Sequence, residues 1–217
     1  MSELFSIQLQ NRQQQGRDGV WLDLPTTTEQ VQAALRQIGI SSDNPQGLFI
    51  SGYFAEEEKR FAIPYNMVLA SNVDELNFLA SRLETLSTGE RAELNAALQA
   101  PQSELFSIGR ITDFPENVDY YVHLPDVHGP AQLGDYYLNR SGMVDMPEEW
   151  KGGIDTAQFG RYVAQQEQGV FTQYGYLVKS GDEWQKVHEG QPVPEEYRVL
   201  SFPAPEVLRD SANIPPP

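Results

Sequence analysis

Carboxylates, histidines and serines are the side chains of this chain that could carry chemistry, and their spacing decides what kind. Glu148 and Glu149 are adjacent; on a helix such neighbours point about 100° apart, so they could not share a reacting atom as a general acid–base pair must. Glu56, Glu57 and Glu58 run straight into Lys59 and Arg60 and read as a charged turn tip. His123, Asp126 and His128 could in principle meet a metal, but neither HxH nor HExxH spacing is present, and a loop with unrelated polar residues is the simpler reading. No serine sits in a GxSxG elbow, and neither GxxxxGK[ST] nor GxGxxG occurs. The sequence therefore offers no catalytic set, no metal ligands and no cofactor motif, and none of the three is expected.

The charge is more informative. The 217 residues carry 31 acids against 15 Lys and Arg, a formal net charge of -16. Charged residues make up only 21% of the chain, so the imbalance owes as much to missing cations as to added acids. A field of that sign repels nucleic acid and membrane surfaces and attracts basic partners, although it can also serve solubility alone. Residues 101–178 are the most acidic per residue, with 11 acids against 4 bases. These acids are spread out, as a decoration on folded elements rather than a tail. Tyr120–Tyr121, Tyr136–Tyr137 and Tyr174–Tyr176 could stack bases, but such sites sit in basic grooves; packing in a core or interface with one wet end fits better. There is no cysteine, which excludes disulfides and thiolate chemistry. The N-terminus lacks a basic segment followed by an apolar run. No apolar stretch approaches the roughly 20 residues of a membrane span. A cytoplasmic location is expected.

The elements that position these residues fall into successive segments. In 1–70, LFSIQL (4–9), VWLDL (20–24) and LFISGY (48–53) read as strands. Between the last two lies a helix capped by Thr26 with Glu29 three residues on, striped by Val31, Ala34, Leu35 and Ile38 and stopped at Gly39. In 71–112, Val73, Leu76, Leu79, Leu83 and Leu86 mark a helix capped by Asn72 and Glu75, and Ser87 with Glu90 opens a second. The hexapeptide SELFSI occurs at 2–7 and again at 103–108 with unmatched flanks; the second copy, after Pro101, offers Ser103 as a helix cap. In 113–178, Tyr120–Leu124 reads as a strand, Pro130 to Gly142 as a helix, and MPEEW as a short helical turn. Asp155 caps a further helix, and Val170–Val178 reads as one strand with Gly175 at a bulge. Residues 179–217 suggest an extra hairpin covering an edge, then a disordered tail ending in IPPP.

"GVWLDLP", "DELNFLASRLETL", "YYVHLPDV", "LGDYYLNRSG", "MPEEW", "IDTAQFGRYVA" and "FTQYGYL" occur in this order along the chain. Together they resemble the ArdA-type antirestriction proteins over residues 1–178. The resemblance implies an elongated α+β fold of three small domains (1–70, 71–112 and 113–178) that pairs into a homodimer. It implies a DNA mimic, not an enzyme, that occupies the DNA-binding groove of type I restriction–modification enzymes, at the methyltransferase core, and blocks them stoichiometrically. Duplex DNA presents one negative charge per about 1.7 Å of axis, which spaced carboxylates can imitate. Carried onto this chain, the imitating surface would comprise Asp113, Glu116, Asp119, Asp126, Asp135, Asp145, Glu148, Glu149 and Asp155. Phe159, Tyr162, Phe171, Tyr174 and Tyr176 would build the core of the third domain or the dimer contact. Arg140, Lys151 and Arg161 interrupt the acidic block. The alternative is an acidic module that binds another basic DNA-binding host protein; a small hydrolase using an unseen carboxylate pair would need a deep pocket.

Overall fold

The computed structural model describes residues 4–14, 18–56, 61–101 and 103–205. Helices and two small antiparallel sheets build an α+β architecture. The first sheet joins β1 (Phe5–Asn11), β2 (Val20–Leu24) and β3 (Leu48–Phe54) in the order β2-β1-β3. Strict alternation along β1 buries Phe5, Ile7, Leu9 and Asn11 on one face. A register shift between Gln8 and Leu9 bends its pairing with β3.

Helix α1 (Thr28–Gln37) is capped by Thr27, whose hydroxyl accepts the Gln30 amide while the Gln30 side chain returns the bond. The expected cap, Thr26, is one residue too early. It is buried, and its amide donates to Asn77 Oδ1 at 2.7 Å, which ties it to another helix. After the short α2 (Tyr65–Leu69), α3 (Val73–Glu84) and α4 (Thr88–Gln99) both begin in capping boxes, Asn72 with Glu75 and Ser87 with Glu90. The second SELFSI copy is not a helix from Ser103. Ser103 Oγ accepts the Leu105 amide in a local turn, and Ser107 caps α5 (Ile108–Thr112) instead.

The second sheet joins β4 (Tyr121–Leu124), β5 (Val170–Thr172) and β6 (Gly175–Lys179) in the order β4-β6-β5. The single strand expected over 170–178 is a hairpin. Gln173 and Tyr174 form its turn, and Thr172 pairs with Gly175. Gly175 has φ +116°, and an added Cβ there would meet the Leu124 carbonyl oxygen at 2.4 Å, so only glycine closes the turn against β4. The helix expected to run to Gly142 is α-helical only as α6 (Pro130–Asp135); Tyr136–Arg140 widens into a π turn. Then come α7 (Glu148–Lys151) and α8 (Thr156–Glu167), the latter capped by Asp155.

Sheet alternation gives two cores. A large apolar cluster runs from the first sheet through α1, α3, α4 and α5 to Tyr121 and Leu177 on the near face of the second sheet. Leu124, Tyr176 and Val178 face the other way, into a smaller cluster with Val127, Leu133 and Val163 under α6 and α8. The second sheet is thus a shared wall.

Residues 180–205 form no hairpin. They hold one 3-10 turn, Glu195–Tyr197, and run as an extended strap back toward α1, where the Ser42 amide donates to the Pro203 carbonyl at 2.9 Å. Local sequence expects strands there because DEWQKVHEG (182–190) and EYRVLSF (196–202) are joined through Pro192 and Pro194. The backbone groups are instead taken by side chains of the body. The tail at 206–217 and the charged tip at 57–60 lie outside the described residues, as do 1–3, 15–17 and 102. Among the described residues no helix is long and apolar enough to cross a membrane.

Candidate acidic interaction surface

The nine acids assigned to one surface do not share one environment. Asp113, at the end of α5, is completely buried. Its carboxylate accepts backbone amides of the strap: His188 at 2.6 Å, Glu189 at 3.2 Å and Val187 at 3.3 Å. A carboxylate consumed by three amides cannot meet a partner, so Asp113 leaves the candidate surface. Its neighbours in sequence do reach solvent. Glu116 is held by Arg82, and Asp119 is exposed. Both line a concavity of about 520 Å³ completed by Asn117, Tyr120, Asp182, Glu183 and Gln185. Asp182 and Glu183 come from the strap, and no short-range signal in the sequence links them to Glu116.

The remaining acids belong to the module built on the second core. Asp126 is exposed in the turn after β4. Asp135 is half-buried and accepts from Asn139 Nδ2 at 2.9 Å and Arg140 at 2.8 Å; these bonds, Asn139 first, hold its carboxyl below the usual carboxylate range. Asp145 and Glu149 are exposed. Glu148 is exposed too and takes Lys151 at 2.6 Å. Asp155 is exposed yet partly occupied, because it caps α8 by accepting the Ala157 and Gln158 amides at 2.9 and 3.0 Å. Two of the three cations that interrupt the block, Arg140 and Lys151, are therefore paired with acids beside them, which trims the local negative field; Arg161 is exposed on α8.

The aromatic set divides as well. Tyr176 is fully buried, and its hydroxyl donates to Glu167 Oε2 at 2.9 Å. The Tyr137 hydroxyl donates to the other Glu167 oxygen. Burial first, and this carboxylate second, push both phenols well above the usual tyrosine value. Phe171 packs tilted on Tyr176 with ring centroids 5.0 Å apart. Tyr174 packs on the first core, and Phe159 is half-buried. Tyr162 is 60% exposed and belongs to neither core. Met143 at 75% and Trp150 at 66% are exposed in the same module, and the sequence reading singled out neither side chain.

His123 does structural work. His123 Nε2 lies 2.7 Å from the Tyr174 carbonyl, which can only accept, so that nitrogen donates. Among the described residues no group of three or more His, Cys, Asp or Glu side chains is arranged to hold a metal ion. One carboxyl is out of the ordinary. Burial, then repulsion from Glu90 and Asp119, pushes Glu93 on α4 up to about 8, and its Oε1 is buried without a hydrogen-bond partner.

The family model described as antirestriction protein (ArdA) matches residues 15–178. It takes in the nine acids assigned from the sequence and ends just before the strap. No curated protein matches the chain.

Proposed function

The chain belongs to the ArdA antirestriction family, and from that premise we propose that it is a DNA mimic that occupies the DNA-binding groove of a type I restriction–modification enzyme. The reading rests on one observation: Glu116, Asp119, Asp126, Asp145, Glu148, Glu149 and Asp155 are all exposed, Glu116, Asp119, Glu148 and Glu149 within short helical turns, Asp155 at the cap of α8, and Asp126 and Asp145 in the segments between elements. A groove that binds a duplex sets Lys and Arg against its phosphates and releases the counterions condensed on them. Fixed carboxylates meet the same cations with little ordering cost. The inhibition is stoichiometric and non-covalent, at the methyltransferase core, and no residue turns over a substrate. The working unit is a homodimer, and Tyr162 is the member of the aromatic set exposed for that contact.

The test is competition between the purified chain and a DNA duplex for a type I methyltransferase core at several salt concentrations. Affinity that falls steeply with salt is expected. Reversing Asp145, Glu148 and Glu149 to Lys together should weaken inhibition at least tenfold, while each single change does little, because many small contacts share the energy. Salt-independent inhibition, or none across a panel of such enzymes, overturns the proposal. Capture of a different basic DNA-binding protein in its place would favour a general acidic module. Sedimentation of Tyr162→Asp, compared with the unaltered chain, tests the pairing: a shift toward monomer is expected.

A further inference from the structure

The strap reaches beyond the residues matched by the family model, and the manner in which it is held is unusual. The body grips mainly its backbone. Amides of Gln185, Val187, His188, Glu189, Val199 and Leu200 donate to side chains of the body, and carbonyls of Gln185, Tyr197 and Pro203 accept from it. The grip has two separated points. Asp113 and Asn117, after α5, hold 185–189. Asp74 and Asn77, on α3, hold 197–200; Asp74 Oδ1 accepts the Val199 and Leu200 amides, each at 2.7 Å. Asn77 also accepts the Thr26 amide that leads into α1. Between the two points, Gly190 (φ +77°) and Pro192 carry the chain over an open groove of about 690 Å³ floored by Phe78 and Ile108. Trp184 at one end and Val199 at the other pack on the first core.

The geometry points to a clamp: the strap is a self-bound segment that opens and closes as one unit and locks α5, α3 and the α1 region together. An extended segment held by its backbone in a groove is the arrangement by which proteins bind peptides. Here the segment is tethered, so its effective concentration is high and the closed state dominates. In the groove, Phe78 packs on His188 and Tyr197 of the strap, with ring centroids 4.9 and 4.7 Å apart. Beside the Arg110–Glu189 ion pair and the packing of Trp184 and Val199, the two acidic anchors fix the ends, and losing either weakens both, because a strap freed at one end keeps only part of its grip.

Amide hydrogen exchange on the full chain tests this. In the unaltered protein the amides of 187–189 and of 199–200 should be protected. Asp113→Ala should accelerate exchange about 10- to 100-fold at 187–189, as expected when a buried acceptor of several amides is lost. The clamp further requires acceleration at the remote Val199 and Leu200, with Ile7 and Leu9 in β1 unchanged. Should Asp113→Ala fail to fold, Asp74→Ala carries the same test in reverse, read at 187–189. Acceleration confined to the amides beside the altered anchor, or free exchange along 185–200 in the unaltered chain, would overturn the proposal.

Discussion

The two sides of the second sheet are covered in different ways. On the near side, α4 and the rest of the first core bring long aliphatic side chains: Leu76, Leu79, Leu83 and Leu94 are fully buried, and apolar area supplies the stability. On the far side the apolar cluster has, among the described residues, three buried members, Val127, Leu133 and Tyr176. That layer relies on close approach and polar bonds. Gly134 and Gly160 face each other where α6 crosses α8. A Cβ on Gly134 would lie 1.9 Å from the Thr156 carbonyl oxygen, and one on Gly160 would lie 1.8 Å from that of Pro130. The helices touch backbone to backbone, and Glu167 gathers the Tyr137 and Tyr176 hydroxyls beside them. The contrast explains the distribution of acids. A thin layer with a small interior has mostly surface to offer, and Asp126, Asp145, Glu148, Glu149 and Asp155 occupy it. The thick core takes Asp113 inside, while Glu116 and Asp119 nearby stay exposed.

Gly160→Val should break this difference most severely. The helices must part, so a loss above about 3 kcal/mol is expected, beyond ordinary overpacking. In hydrogen exchange the Tyr176 amide should lose protection while Ile7 keeps it. Equal loss at both would mean the layers are not separable. Glu93→Gln probes the thick core. The folded carboxyl near 8 lies above its unfolded value of 4.5, so the native state holds the proton more tightly. Its contribution is complete below about pH 4.5 and is lost as pH rises toward 8. The variant should therefore melt like the unaltered chain near pH 4.5, exceed it increasingly up to pH 8, and show a constant margin above; a margin that shrinks with pH would refute the assignment. Tyr176→Phe removes one phenol from Glu167 and should cost about 1 kcal/mol in denaturant unfolding, since Tyr137 still serves the carboxylate. Glu149→Gln should leave stability within about 0.5 kcal/mol, the usual range for surface changes, and sharpen the contrast from its smallest end.

Much of the fold was legible because its determinants are local. Asn72 with Glu75 and Ser87 with Glu90 are capping boxes within four residues, and the alternation of β1 needs only its own seven. The hairpin at Gln173–Tyr174 was hidden because Phe171, Thr172, Tyr174 and Tyr176 alternate smoothly through the turn, so the pattern reads as one strand. Asp113 was misplaced for a deeper reason. Its partners lie about 75 residues away, and nothing near it distinguishes a carboxylate that faces solvent from one that receives a strap. Asp182 and Glu183 join the concavity beside Glu116 for the same long-range reason. The acidic module was the more readable part, since exposure on short helices and turns follows from local polarity.

Because the Pro203 carbonyl is bonded beside the end of α1, the carboxyl end of the described chain emerges next to the amino-terminal sheet. A label or support attached through that end would grip the molecule by its thick core. Glu148, Glu149 and Asp155, on α7 and at the start of α8, are exposed in the other module, so such an attachment would leave them unobstructed for a partner arriving from solution.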